Sequence, residues 1–94
     1  MELYKSSAYE LLNNLAKKEV TAQDITLSLK KRIKETDSKV RAYVRINESS
    51  KEALKPEGDN SILKGIPVSI KDNICTEGLN TECCSRILSG FKPP

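Results

Sequence analysis

The sequence lacks several residues on which active and metal sites often depend. Its 94 residues include no histidine, no tryptophan, one phenylalanine and three tyrosines. The absence of histidine removes the commonest general base and the commonest metal ligand. Only 37% of the residues are hydrophobic. A chain of this length with so few large apolar side chains has a thin core, and we expect marginal independent stability.

Long apolar segments and a strong excess of one charge are also missing. No apolar run approaches the roughly 18–20 residues of a transmembrane helix, and the N-terminus has no apolar core of a secretory signal. The net charge of +3 is too weak for a dedicated nucleic-acid or membrane-surface binder. The basic excess lies on Lys30, Lys31, Arg32 and Lys34. We interpret this cluster as a solvated helix face, with a contact surface for RNA or an acidic partner as the alternative.

The three cysteines do not indicate a disulfide framework or a zinc site. Their number is odd, and two of them, Cys83 and Cys84, are adjacent. Cys75 completes the set without a recognisable zinc spacing. We interpret all three as buried small apolar residues, with reactive thiols as the alternative. The pattern favours a reducing, cytoplasmic compartment.

Two capped amphipathic helices are predicted within residues 7–36. Ser7 with Glu10, and Thr21 with Asp24, have the spacing of capping boxes. A connection of two or three residues predicts an antiparallel helix pair. Apolar residues follow helical spacing in both segments, at Ala8, Leu11, Leu12, Leu15 and Ala16 and then at Ala22, Ile25, Leu29 and Ile33.

The period then changes from helical to alternating. Residues 40–47 and 65–71 alternate apolar and polar side chains and are predicted as strands. Between them we expect a short helix, beginning at residue 49 or 50 and ending at 55, and a loop at 56–62 that is rich in helix-breaking residues. Residues 72–94 are predicted to carry the chain through a turn, with one short helical turn within 81–88 that ends before Gly90.

Lys71 stands at the predicted C-terminal end of a buried strand. Ligand-binding and catalytic groups of open α/β sheets gather at such strand ends. Burial disfavours the ammonium form, so a lysine there can serve as a base, and Asp72 or Asn73 could fix the neighbouring backbone. Position alone does not distinguish this role from a solvated residue that follows a strand.

The residues around Lys71 decide in favour of the catalytic interpretation. Residues 65–73, GIPVSIKDN, closely resemble the lysine motif of the amidase signature family. Residues 74–88, ICTEGLNTECCSRIL, are similar to the glutamine-hydrolysing subunits of tRNA-dependent amidotransferases within that family, although Cys84 stands where a small residue such as alanine is typical. The resemblance covers the whole chain and is strongest over 63–94. It implies a mixed sheet in an α/β/α fold and identifies Lys71 with the catalytic lysine.

The resemblance also implies a mechanism and partners. Family members use a serine, a second serine in a cis peptide and the lysine, and both serines lie in a Gly/Ser-rich segment that this sequence does not contain. We therefore expect an N-terminal fragment with one of three catalytic residues, inactive alone. The resemblance further implies glutamine as substrate, no cofactor or metal in this subunit, the B and C subunits of the amidotransferase as partners, ATP use by the B subunit, and Glu-tRNA(Gln) bound through the complex. A general amide hydrolase of the same family and a non-catalytic helical interaction module are the alternatives.

Overall fold

Two capped helices and a short N-terminal turn form the regular secondary structure of the chain. A computed structural model describes residues 2–47, 62–63 and 65–94. A 3-10 turn at Leu3–Lys5 precedes helix α1, Ala8–Ala16, and helix α2, Ala22–Val40. The predicted helix at 49–55 and nearly all of the loop predicted at 56–62 lie outside the described residues. No helix within the described ranges has both the length and the apolar character needed to cross a membrane.

Both predicted capping boxes are confirmed. The Ser7 backbone N–H donates to Glu10 Oε2 at 2.7 Å, and the Glu10 N–H donates back to Ser7 Oγ at 3.3 Å. The Thr21 N–H donates to Asp24 Oδ2 at 2.9 Å, and the Asp24 N–H donates to Thr21 Oγ1 at 3.1 Å. Each box satisfies backbone donors that a helix start leaves without an intrahelical partner.

The helices end at different places from those predicted. α1 ends at Ala16, and Lys18 then turns the chain with a left-handed φ of 57°. α2 continues to Val40 and is capped by Arg41 in the left-handed conformation, whose N–H donates to the Asp37 carbonyl at 2.7 Å. Val40 is therefore helical, and the prediction of a strand beginning at that residue is wrong.

A small cluster of apolar side chains holds the described part of the chain together. Its buried members are Leu3, Leu11 and Ile25, one from the 3-10 turn and one from each helix. α2 packs more extensively against the 3-10 turn than along α1. The apolar faces of the two helices therefore do not pack against each other along their length, as the predicted antiparallel pair would. Further apolar side chains pack against the cluster from its edge, at Leu15, Val20 and Ile66.

The two predicted strands have no ladder partners among the described residues. Neither 41–47 nor 66–71 is paired as a strand within the described ranges. Val68 and Ile70, assigned to a buried strand by their alternation, are 64% and 55% exposed. An alternating segment becomes a strand only when a neighbour supplies its backbone partners, and the described residues supply none. The helices of the predicted α/β fold are present here, and its sheet is not formed by these residues.

The capping boxes predict an acid-sensitive helix content. Hydrogen bonds from Ser7 lower the pKa of Glu10 below its ordinary 4.5, and those from Thr21 lower the pKa of Asp24 below 3.8. A lowered pKa in the folded state contributes stability above the ordinary value, and this stability is lost as the pH falls through the folded value. We expect the helical circular dichroism signal to fall below about pH 4. The double variant Glu10→Gln with Asp24→Asn should show less helix at pH 7 and a smaller further loss of helical signal on acidification. A loss on acidification equal to that of the wild-type chain would contradict the attribution of this pH dependence to the capping boxes.

Candidate active site

Lys71 lies on an open groove and presents its side chain to solvent. The groove has a volume of ≈ 380 Å³ and is lined by three segments, around Arg45, Lys71 and Leu79. Lys71 is exposed and does not follow a strand, so the prediction that it is buried at a strand end is wrong for the described residues. No side chain in the described ranges pairs with its ammonium group. Its backbone carbonyl accepts from the Ile74 N–H at 3.0 Å, which closes a tight turn. Lys71 is therefore accessible to a molecule that enters the groove.

The chain is anchored on both sides of Lys71. On the N-terminal side, Ile66 packs against the helical core. On the C-terminal side, Asp72 is held by hydrogen bonds, and its side chain is only 12% exposed. Lys71 itself lies between these two fixed points, so its backbone is positioned although its side chain is exposed.

Asp72 binds a remote part of the backbone through both its carboxylate and its carbonyl. The Cys84 N–H donates to Asp72 Oδ2 at 2.9 Å, and the Cys83 N–H donates to the Asp72 carbonyl at 3.0 Å. The bond from Cys84 is the main reason that the pKa of Asp72 is lowered from 3.8, and the Arg45 guanidinium lowers it further against the opposing effect of partial burial. We expected Asp72 or Asn73 to fix the backbone beside Lys71, but the backbone that Asp72 holds is that of residues 83–84.

Arg45 connects Asp72 to a second carboxylate. One guanidinium nitrogen pairs with Asp72 Oδ1, and the other donates to Glu82 Oε1 at 2.7 Å. The nitrogen that faces Asp72 also donates to the Asn80 carbonyl at 3.1 Å. A planar guanidinium with several fixed donors is suited to such a bridge. We call Arg45, Asp72 and Glu82 the carboxylate clamp.

The clamp also closes the loop that follows Lys71. The second carboxylate oxygen of Glu82 accepts from the Gly90 N–H. Beside it, the Thr81 N–H donates to the Phe91 carbonyl at 2.9 Å, and Thr81 Oγ1 donates to the Ile74 carbonyl at 3.4 Å. Thr81 is the buried polar residue of this segment, at 4% exposure. Residues 72–91 thus fold as a loop closed by hydrogen bonds, and the predicted helical turn within 81–88 is a series of turns.

The cysteine interpretation is corrected by the structure. Cys75, Cys83 and Cys84 are all exposed and unpaired to one another. Cys83 and Cys84 both have left-handed φ values, 50° and 53°, a conformation that costs about 1–2 kcal/mol per L-residue. The loop turns their N–H groups inward to Asp72, and their thiols are left outside. In the described part of the chain, no cluster of three or more cysteine and acidic side chains could hold a metal ion.

The basic cluster on α2 is largely solvated. Lys31, Arg32 and Lys34 are exposed, and the Arg32 guanidinium lies over the Tyr4 ring at 5.1 Å from its centroid. This agrees with the interpretation as a solvated helix face. An RNA or acidic-partner contact stays a hypothesis.

Arg45 is the residue that sequence reasoning missed. It was placed on the polar side of a predicted strand, but it contacts partners 27, 35 and 37 residues away. No local pattern signals a contact at such separations. Asp72, the carboxylate that lines the groove, is occupied by the Cys84 N–H and by Arg45, whereas the Lys71 side chain has no ion-pair partner among the described residues.

Comparison with known proteins agrees with the motif around Lys71. The family model described as Amidase matches residues 24–94. The chain is 44% identical, over its whole length, to a protein named as the A subunit of glutamyl-tRNA(Gln) amidotransferase from Thermoanaerobacter pseudethanolicus, of which it covers 21%. It is 42% identical to the protein of the same name from Halothermothrix orenii, again over its whole length and over 20% of that relative.

The similarity is one of sequence, because no solved structure matches the chain. The chain spans about a fifth of the length of the curated relatives that it matches. The family match nevertheless extends over most of the 94 residues and includes Lys71 and the whole carboxylate clamp. On this evidence the chain belongs to the amidase family.

Proposed function

We propose that this chain is the N-terminal part of the glutamine-hydrolysing subunit of a Glu-tRNA(Gln) amidotransferase. The observation that carries the proposal is the whole-chain identity of 38–44% to several proteins named as the A subunit of that enzyme. The accessible amine of Lys71 on the groove supports it, because a base needs access to the group that it deprotonates.

In this proposal Lys71 is the base of a serine nucleophile. The serine hydroxyl attacks the carboxamide carbon of glutamine, and its proton passes through the second serine to the Lys71 amine. The C–N bond breaks as the leaving nitrogen takes a proton, which releases ammonia and leaves an acyl-enzyme. Water then hydrolyses that ester to glutamate and regenerates the serine. This is nucleophilic catalysis by an activated hydroxyl, and both serines would come from outside these 94 residues.

The partners and compartment follow from the same proposal. The B subunit would use ATP to activate Glu-tRNA(Gln) and combine it with the ammonia, and the C subunit would join the other two in a heterotrimer in the cytoplasm. The proposed subunit requires no cofactor or metal of its own, since an amine and two hydroxyls carry every proton transfer in the hydrolysis.

A chimera tests the proposal with the chain as it stands. Residues 1–94 replace the matching first fifth of the Thermoanaerobacter pseudethanolicus protein, which is then produced together with the other subunits of that enzyme. The chimeric complex should convert Glu-tRNA(Gln) to Gln-tRNA(Gln) with glutamine as nitrogen donor. A complex without the replaced segment is the negative control.

Other outcomes discriminate between the remaining hypotheses. A chimeric complex that assembles and uses ammonia, but not glutamine, would contradict the proposal. Hydrolysis of simple amides by the chimera without its partner subunits would favour a general amide hydrolase. Assembly without any amide chemistry would favour an interaction module.

A further inference from the structure

The carboxylate clamp links the turn that carries Lys71 to two distant parts of the chain. Arg45 comes from the segment after α2, Asp72 is the residue next to Lys71, and Glu82 belongs to the loop that follows. Arg45 lines the same groove as Lys71. Arg45 is therefore close enough to affect Lys71. Its contact with Asp72, the residue next to Lys71, indicates how that effect is transmitted.

We propose that Arg45 is a positioning residue for Lys71, which acts through Asp72 and not on the substrate. The inference rests on the proposed function of Lys71 as a base. Asp72 uses one carboxylate oxygen for the Cys84 N–H and the other for Arg45. With the guanidinium removed, this second oxygen has lost its partner, and a carboxylate that is 12% exposed turns toward water.

The strain at residues 83–84 makes this bridge important. Two consecutive non-glycine residues in the left-handed conformation persist only where surrounding contacts impose it. Those contacts are the bonds from Cys83 and Cys84 to Asp72. If the Asp72 side chain rotates, the hydrogen bond from Cys84 that helps to close the loop is lost. The backbone beside Lys71 then shifts together with the loop.

Both terminal guanidinium nitrogens of Arg45 already have hydrogen-bond partners, which argues against direct substrate binding through them. Its guanidinium meets Asp72, Glu82 and the Asn80 carbonyl. A carboxylate of glutamine would have to displace one of these partners. The two roles make opposite kinetic predictions: loss of a substrate contact raises KM, whereas misplacement of a base lowers kcat.

The test measures glutamine-dependent kinetics of the chimeric complex with Arg45→Gln and Arg45→Lys. Arg45→Gln should lower kcat by about 10- to 100-fold, as expected for a small displacement of a catalytic group, with KM for glutamine unchanged. Arg45→Lys should recover part of the loss, because an ammonium can pair with one carboxylate but cannot bridge two. Activity with added ammonia should be unchanged in both variants, since it does not use Lys71.

The matched control is Arg86→Gln, which removes the same charge from the loop that the carboxylate clamp closes. Arg86 is exposed, and its side chain makes no hydrogen bond or ion pair with the described residues. The Arg86→Gln variant should retain wild-type kinetics. A second measurement combines Arg45→Gln with Asp72→Asn. If Arg45 acts through Asp72, the double variant should lose little more than the worse single variant. A rise in KM alone, additive losses, or an equal loss of ammonia-dependent activity would overturn the proposal.

Hydrogen exchange in the 94-residue chain separates this inference from the proposed function. Arg45→Gln should accelerate exchange at the Cys84 and Gly90 amides by about tenfold or more, since both N–H groups bond to carboxylates of the clamp. Unchanged exchange would overturn the positioning role, whatever the activity. An inactive chimera with accelerated exchange in the Arg45→Gln chain would leave Arg45 as the residue that holds the turn and would count against the amidotransferase proposal alone.

Discussion

Lys71→Ala in the chimeric complex is expected to abolish glutamine-dependent transamidation. Removal of one member of a catalytic unit of this kind typically lowers kcat by about three orders of magnitude or more, because the serine is left without a proton acceptor. Activity with added ammonia should largely survive, since the proposed function assigns that reaction to a partner subunit. The measurement is Gln-tRNA(Gln) formation with each nitrogen donor.

Lys92→Ala is the matched control for this prediction. Lys92 is exposed, lies in the same segment and makes no side-chain contact with the described residues. It should retain both activities. If Lys71→Ala lowered both activities to the same extent, Lys71 would have a structural role in place of a catalytic one.

Ile25→Ala is expected to unfold the 94-residue chain. Ile25 is 4% exposed and is one of the three buried members of the apolar cluster. Such a truncation costs about 2–5 kcal/mol, and a core this small rarely supplies more than about 3–5 kcal/mol in total. The helical circular dichroism signal at 25 °C should therefore fall strongly and lose its cooperative melt.

The control for this variant lies two residues further along the same helix. Leu27 is 57% exposed, so Leu27→Ala removes a similar side chain without opening a cavity and should melt close to the wild-type chain. A melt of Ile25→Ala that also matched the wild type would show that the cluster is not what holds these elements together.

The parts of the structure that the sequence predicted are those with local causes. The capping boxes at Ser7 and Thr21 require partners only three residues away, so their pattern is complete in the sequence. The ends of α1 and α2 were less predictable because left-handed conformations at Lys18 and Arg41 decide them, and neither residue type signals such a turn.

The catalytic role of Lys71 stays a prediction from the motif, and the geometry around that residue was not predictable. The motif identified Lys71, but nothing local to it indicated Arg45 or Glu82, which meet Asp72 only after the chain has folded. The strand predictions had the same limitation, because alternation specifies a face but does not supply a neighbouring strand. The burial of the cysteines was predicted wrongly because it relied on the general preference of cysteine for buried positions. In this loop the N–H groups of Cys83 and Cys84 face Asp72, and their thiols are exposed.

The long sequence separations within the clamp have a consequence for the order of folding during synthesis. The helices α1 and α2 depend on local contacts and can form in about a microsecond once they are free of the ribosome. Arg45 and Glu82 are 37 residues apart, which at about 5–20 residues per second corresponds to roughly 2–7 seconds of translation. Asp72 follows Arg45 by only 27 residues, so Arg45 has neither carboxylate of the clamp for the first part of that interval and only Asp72 for the rest. The nascent chain therefore presents a finished helical segment well before the Lys71 turn is fixed.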